Sequence, residues 1–242
     1  MHQLFISFFS VLFPPRCVSC ETRIDNPELV CCAPCTGKII LNSSFFCPLC
    51  GARIPPGEKT CHTDARYLLG AATSFEQKQI RDLVHSLKYN GTRRTAPFMA
   101  RILFEYIRRM LPVNALDFSN YILIPIPLHK RKERMRGYNQ SSVLAHELKK
   151  IFVSSNLPFP EIRKDILARK KYTPSQTECK TTEERRKNIA ECFSVSHPEY
   201  INGKNIILID DVHTTGATMG EATKILKRCG AKRILGLVFA KT

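Results

Sequence analysis

Apolar residues fall into two kinds of pattern along this chain. Short unbroken runs rich in isoleucine occur at Tyr121–Pro127 (YILIPIP), Ile206–Ile209 and Ile234–Phe239. Runs of that length, bounded by proline or charge, predict strands buried on both faces, as in a parallel sheet. Helical spacing appears at Phe98, Ile102, Leu103, Tyr106, Ile107 and Met110, and again at Met219, Ala222, Ile225, Leu226 and Cys229. Gly230 closes the second pattern where a helix C-terminus favours glycine. Strand, helix and strand from Ile206 to Phe239 therefore make a βαβ unit. In such sheets ligands collect at the carboxyl ends of strands, where a loop feeds the N-terminus of the next helix.

The N-terminal run LFISFFSVLF is apolar, but no Lys or Arg precedes it and no small-residue cleavage site follows. It is also shorter than the roughly 20 apolar residues a bilayer span needs. The expectation is a short helix packed on the body, with no membrane span. A cysteine-rich head ends near residue 64, and α/β patterns fill about 66–157 and about 160 to the end. The predicted organisation is residues 1–64 as N-terminal segment and metal-binding module and 65–242 as one α/β domain.

Composition changes this picture in two places. Hydrophobic residues at 43% and charged residues at 24% are ordinary for a chain that folds throughout. The formal charge of +16 is not, and it implies an anionic partner: a phosphorylated small ligand, nucleic acid or a membrane surface. Of eleven cysteines, eight precede residue 65 and six form CxxC pairs. That spacing belongs to zinc binding in a reducing, cytoplasmic compartment rather than to a secreted disulfide framework.

Candidate chemistry concentrates at Ile206-Ile-Leu-Ile-Asp-Asp-Val-His-Thr-Thr-Gly-Ala-Thr218. Residues Thr214 to Thr218 present hydroxyls and backbone N–H groups at a helix N-terminus, which suits a phosphate monoester, and Gly216 permits close backbone approach. Asp210 and Asp211, at the strand end, can accept hydrogen bonds from two vicinal ribose hydroxyls. The segment lacks the GK[ST] ending of a Walker loop, so an ATPase reading has no support. It resembles the motif by which type I phosphoribosyltransferases bind 5-phosphoribosyl 1-diphosphate (PRPP). That likeness implies that Asp210 and Asp211 hold the ribose, while Thr214, Thr215, Gly216, Ala217 and Thr218 hold the 5′-phosphate.

After YILIPIP, the segment Lys130–Arg136 carries five basic side chains and reads as a positive loop suited to a diphosphate, a solvated charge run or a nucleic-acid patch. The succession PIPL, Arg136-Gly-Tyr-Asn-Gln140, Thr173-Pro-Ser-Gln176, Glu184-Arg-Arg-Lys-Asn188, Phe193 and the Asp-Asp-x-x-Thr-Thr-Gly-x-Thr loop, with Leu87-Lys-Tyr-Asn-Gly91 upstream, is similar to the ComF family over nearly the whole chain. The resemblance implies a type I phosphoribosyltransferase-like parallel sheet flanked by helices behind an N-terminal double zinc ribbon. It adds Lys88, Arg136, Gly137, Asn139, Gln176, Arg185 and Asn188 as site candidates. Arg136 counts among the reacting groups with Asp210 and Asp211, whereas Asn139, Gln176 and Asn188 have a structural role as the alternative. Mg²⁺ with PRPP, single-stranded DNA, and competence or recombination proteins are the further partners implied.

Cys17, Cys20, Cys32 and Cys35 supply four thiolates, a complete tetrahedral Zn²⁺ site by spacing alone. A second site has Cys47, Cys50 and Cys61. Where the family pattern has a fourth cysteine this chain has Cys61-His-Thr-Asp64, so Asp64 or His62 completes it, with Asp64 favoured by register. Cys31, Cys179, Cys192 and Cys229 read as packing residues. A phosphoribosyltransferase-like enzyme and a PRPP-sensing, DNA-binding adapter both fit these motifs. A purely structural zinc protein leaves the phosphate loop unexplained.

Overall fold

Alternate residues of the isoleucine-rich runs face opposite sides of one sheet. Ile206 and Leu208 lie in a core with Ile122, Ile124 and Val238, whereas Ile207 and Ile209 lie in another with Leu123, Leu237 and Phe239. An unbroken apolar run forms such a doubly buried strand when both faces are covered. The computed structural model describes residues 14–89, 93–111, 118, 120–171 and 191–242. The N-terminal apolar run, Asn90, Gly91, Thr173–Gln176, Cys179 and Glu184–Asn188 with Arg185 lie outside the described residues.

In chain order the described elements are α1 (Ala33–Gly37), β1 (Phe45–Phe46), β2 (Arg53–Ile54), β3 (Leu68–Ser74), α2 (Lys78–Tyr89), α3 (Thr95–Met110), β4 (Tyr121–Pro125) and α4 (Lys130–Arg136). These are followed by α5 (Gln140–Ser154), β5 (Glu161–Ile162), β6 (Leu167–Arg169), β7 (Phe193–Val195), β8 (Asn205–His213), α6 (Ala217–Arg228) and β9 (Arg233–Lys241). One seven-stranded sheet runs β2-β1-β3-β9-β8-β4-β5, parallel from β3 onward, while β1 is antiparallel to both β2 and β3. Helices α2, α3 and α5 pack on one face; α6 and the antiparallel β6/β7 pair pack on the other.

Two strands depart from the sequence pattern. The apolar run of β8 stops at Ile209, but β9 offers backbone partners as far as His213↔Lys241, so Asp210 and Asp211 are strand residues. Strand β3, LLGAATS, carries no isoleucine run; the Tyr106 ring packs over Gly70, where a Cβ would be in van der Waals contact at 3.4 Å. Tyr106 in turn donates its hydroxyl to Ser44 O at 2.9 Å, and Phe45 stands edge-on to its ring.

The head is continuous with the body. Phe45 and Phe46 pair with Gly70 and Leu69, so the main sheet crosses the expected boundary near residue 64. Lys78 Nζ donates to Ser19 O and Arg94 Nη2 to Leu29 O at 3.0 Å, tying the first cysteine knuckle to α2 and to the start of α3.

Candidate functional site

Three elements converge on the carboxyl end of β8. Ser141, in the first turn of α5, donates its hydroxyl to Asp210 Oδ1 at 2.7 Å, and the Asp211 backbone N–H donates to the same oxygen at 2.9 Å. Asp211 is buried; its Oδ1 accepts from the Val212 N–H at 2.9 Å, and its Oδ2 lies 2.9 Å from Lys88 Nζ in the last turn of α2. Burial, reinforced by the Asp211 charge, pushes the Asp210 carboxyl up to about 7 against the opposing pull of Ser141, the Asp211 N–H and Lys88. Lys88 and the acid pair are therefore brought together.

Beyond β8 the chain turns through Thr214, Thr215 and Gly216 into α6. Gly216 caps that helix at φ +74°, and its carbonyl accepts from the Gly220 N–H at 2.7 Å. Asp210, Thr214, Gly216, Ala217 and Thr218 line one cleft at the start of α6. Thr215 Oγ1 is buried with no hydrogen-bond partner among the described residues. The loop lies at the positive end of the α6 helix dipole.

Under the loop sits a pair that the motif reading passed over. His213 is buried, and its Nε2 lies 3.0 Å from Tyr67 Oη. Burial and then the Lys241 charge bring the imidazole down to about 4, while burial raises the Tyr67 phenol above its ordinary range. The neutral ring and the protonated phenol share one hydrogen bond at Nε2. A Cβ at position 216 would lie 2.9 Å from that nitrogen, so both contact and backbone angle call for glycine.

The expected basic loop is instead helix α4. His129 Nδ1 accepts from the Arg131 N–H at 3.2 Å at its start, and Gly137 (φ +80°) donates its N–H to Glu133 O at 2.7 Å at its end. Arg136 donates to Gln140 Oε1 at 2.5 Å and stacks over the Tyr89 ring; Gly137 O accepts from Arg93 Nη2 at 3.3 Å. Neither Arg136 nor Gly137 lines the cleft with Asp210. Asn139 caps α5: its Oδ1 accepts from the Ser141 N–H and its Nδ2 donates to Ile126 O, both at 3.0 Å. Its role is thus structural, holding Ser141 beside Asp210.

Two groups of potential metal ligands stand in the head, each with its ligand atoms within 4.8 Å of one another: Cys17, Cys20, Cys32 and Cys35, and Cys47, Cys50, Cys61 and His62. In the second group His62 Nδ1 lies 3.2 Å from Cys61 Sγ and 3.5 Å from Cys47 Sγ. The structure gathers His62, and not the Asp64 favoured by register, with the three thiols. A residue adjacent to Cys61 reaches the cluster because the chain turns at this point, which spacing alone does not reveal. Burial works against the Cys47 thiolate, but the Cys50 and Leu49 N–H groups outweigh it and bring the thiol down to about 6. Cys31, beside Cys17 of the first group, and Cys192 are buried, and Cys229 is half-buried, as packing residues are.

The family model for the phosphoribosyl transferase domain matches residues 136–241. The chain is 27% identical over 229 residues to Competence protein F of Haemophilus influenzae, covering 90% of this chain and 93% of that protein. It is 27% identical over 215 residues to Competence protein ComFC of Bacillus subtilis, covering 85% and 81%. Over most of its length the chain is thus similar to proteins named for competence, as its motifs resemble the ComF family. DNA utilization protein YhgH of Escherichia coli O157:H7 is a further relative, 25% identical over 218 residues and covering 90% and 86%.

The segment matched by the family model runs from the last residue of α4 through α5, β8 and α6 to β9, and so contains the acid pair, its Ser141 partner and the threonine-glycine loop. The metal-ligand groups lie before it. Sequence reasoning missed Ser141 and Tyr67, which carry no local signal. It missed His213 although that residue stands inside the motif, where a histidine ahead of two threonines was the available hint.

Proposed function

We propose that this chain binds PRPP at the carboxyl end of β8 and serves DNA uptake as a ComF-like member of the phosphoribosyltransferase family. The observation that carries the reading is a pair of carboxylates, held by Lys88 and Ser141, directly beside a hydroxyl-rich helix N-terminus. In this reading Asp210 and Asp211 accept from the ribose hydroxyls, and Thr214, Thr215, Gly216, Ala217 and Thr218 enclose the 5′-phosphate. Lys88, Arg136 and Gly137 flank the diphosphate. Carboxylate and phosphate oxygens fit Mg²⁺, which when bound neutralises charge on the diphosphate. Transfer would form a bond from acceptor to ribose C1 and break the C1–O bond, with diphosphate leaving with the electron pair and the acceptor losing a proton.

Zn²⁺ fits both thiol-rich groups by donor type and number, as closed structural sites that stabilise the head. Thiols kept for metal suit a cytoplasmic location, and among the described residues no helix is long and apolar enough to cross a membrane. A second reading is a non-catalytic adapter that senses PRPP and binds single-stranded DNA alongside competence or recombination proteins. The net charge of +16, more than one small anion requires, favours a nucleic-acid partner.

Calorimetry with PRPP and Mg²⁺ tests the ligand. Asp210→Asn combined with Asp211→Asn should abolish binding while fold and zinc content stay unchanged; retained micromolar binding defeats the ribose assignment. Repeating the titration with single-stranded DNA present reads any coupling between the two partners.

A further inference from the structure

Cations gather at both ends of the sheet. At the carboxyl end Lys88 pairs with Asp211, Arg136 bonds Gln140, and Arg93 bonds Gly137 O. At the opposite end a groove of about 430 Å³ runs between the second cysteine knuckle and the start of β9. Lys59, Arg66, Lys227, Lys232 and Arg233 line it against a single acid, Glu58. None of the five cations is in an ion pair among the described residues, and all but the half-buried Lys227 are exposed.

An adjoining groove of about 330 Å³ shares Lys232 and adds Lys204 and Asn205. The two grooves form one positive track along the amino ends of the central strands. Self-repulsion among five unpaired cations is a cost that an anionic partner removes.

We infer that this track, and not helix α4, binds the phosphodiester backbone of single-stranded nucleic acid. The inference rests on the DNA-handling part of the proposed function and names its surface. None of the large exposed apolar side chains lies in it, which disfavours membrane insertion. Tyr67, its one aromatic, is buried, so no platform for base stacking exists and binding is independent of base sequence. Arg233 opens β9 and Lys241 closes it, so the cations of the track stand about 26 Å along the strand from the PRPP cleft at about 3.3 Å per residue, with the buried Tyr67 reaching between them to His213. Both ligands can therefore be held at once. The metal-ligand pair Cys61 and His62 lies between Lys59 and Arg66, so a bound ion would fix the segment that presents both cations.

Fluorescence anisotropy with a short labelled oligothymidylate tests the track on the full, zinc-loaded chain. Five neutralised phosphates give a log-log salt slope of about −3.5. Lys59→Glu, Arg66→Glu and Arg233→Glu together should weaken binding at least about tenfold and flatten the slope by about 2, with PRPP titration unchanged. The glutamine versions of the three changes provide the same reading if charge reversal impairs folding. Undiminished binding by these variants, with loss instead on reversing Arg131 and Arg134, overturns the track while leaving DNA handling intact. No binding by the parent chain removes the DNA reading and the track together. Equal affinity for polyglutamate would replace nucleic acid by an acidic protein as the partner.

Discussion

Asp210 and His213 are three residues apart on one strand and respond to pH in opposite senses. The folded chain holds the Asp210 proton with a pKa of about 7 against an ordinary 3.8, so this group's contribution to stability falls as pH rises from about 4 to about 7. His213 stands at about 4 against an ordinary 6.5, so its contribution rises with pH between about 4 and 6.5. Asp210→Asn should therefore stabilise the ligand-free chain near neutral pH and leave a steeper rise across the acidic window. Urea unfolding over that range reads the difference, and superimposable profiles for parent and variant would sink the assignment. At the next turn, Gly216→Ala places a methyl against the His213 ring and forces a left-handed angle costing about 1 to 2 kcal/mol. A lower thermal midpoint with impaired PRPP binding is expected, and an unchanged loop would show that the ring moves aside freely.

Among the elements, the second cysteine knuckle shows how a ligand set depends on local chain path. Cys47 follows directly on β1, while Cys61 and His62 come from the segment leading into β3, so the cluster joins the two ends of the inserted hairpin. With zinc in both groups as proposed, His62→Ala should lower it from two ions per chain to one, measured by plasma emission on purified protein, whereas Asp64→Ala should keep both. The reverse outcome would restore Asp64 as the ligand. Helix α4 makes a related point: its basic composition was plain, but the His129 cap and the Gly137 terminus turn it into a helix. Its role is to lead Arg136 and Asn139 to the start of α5, where Ser141 meets Asp210.

For the whole molecule, the head acts as part of the main sheet. Strand β1 covers the edge of β3, Tyr106 bonds across to Ser44, and the first knuckle is tied to α2 through Lys78. Removing residues 1–64 would expose that edge and the faces of Phe45 and Phe46 packing, a liability for association through unpaired strand groups. A chain limited to 65–242 is expected to be poorly soluble and to unfold at lower temperature than the full protein, as light scattering and a thermal melt would read. A soluble monomer of undiminished stability would make the boundary near residue 64 a true domain boundary.

The amino-acid sequence by itself determined the three central strands, the helices over Phe98–Met110 and Met219–Cys229, the first four-cysteine group and the acid-threonine loop. Each rests on a local regularity: unbroken isoleucine runs, 3.6-residue spacing, CxxC spacing, or adjacent residues in one turn. Only the tertiary structure decided that β8 carries its acids inside the strand, because β9 supplies the pairing. It likewise decided that Lys88 and Ser141 hold those acids, that Tyr67 supports the loop through His213, and that His62 joins the second cluster. Ser141 lies 69 positions from Asp210 and Tyr67 lies 146 from His213. Contacts at such separations leave no periodic mark on either segment, since each side chain also satisfies its local rules as an ordinary helix or strand residue, and only packing of the layers brings them within bonding distance.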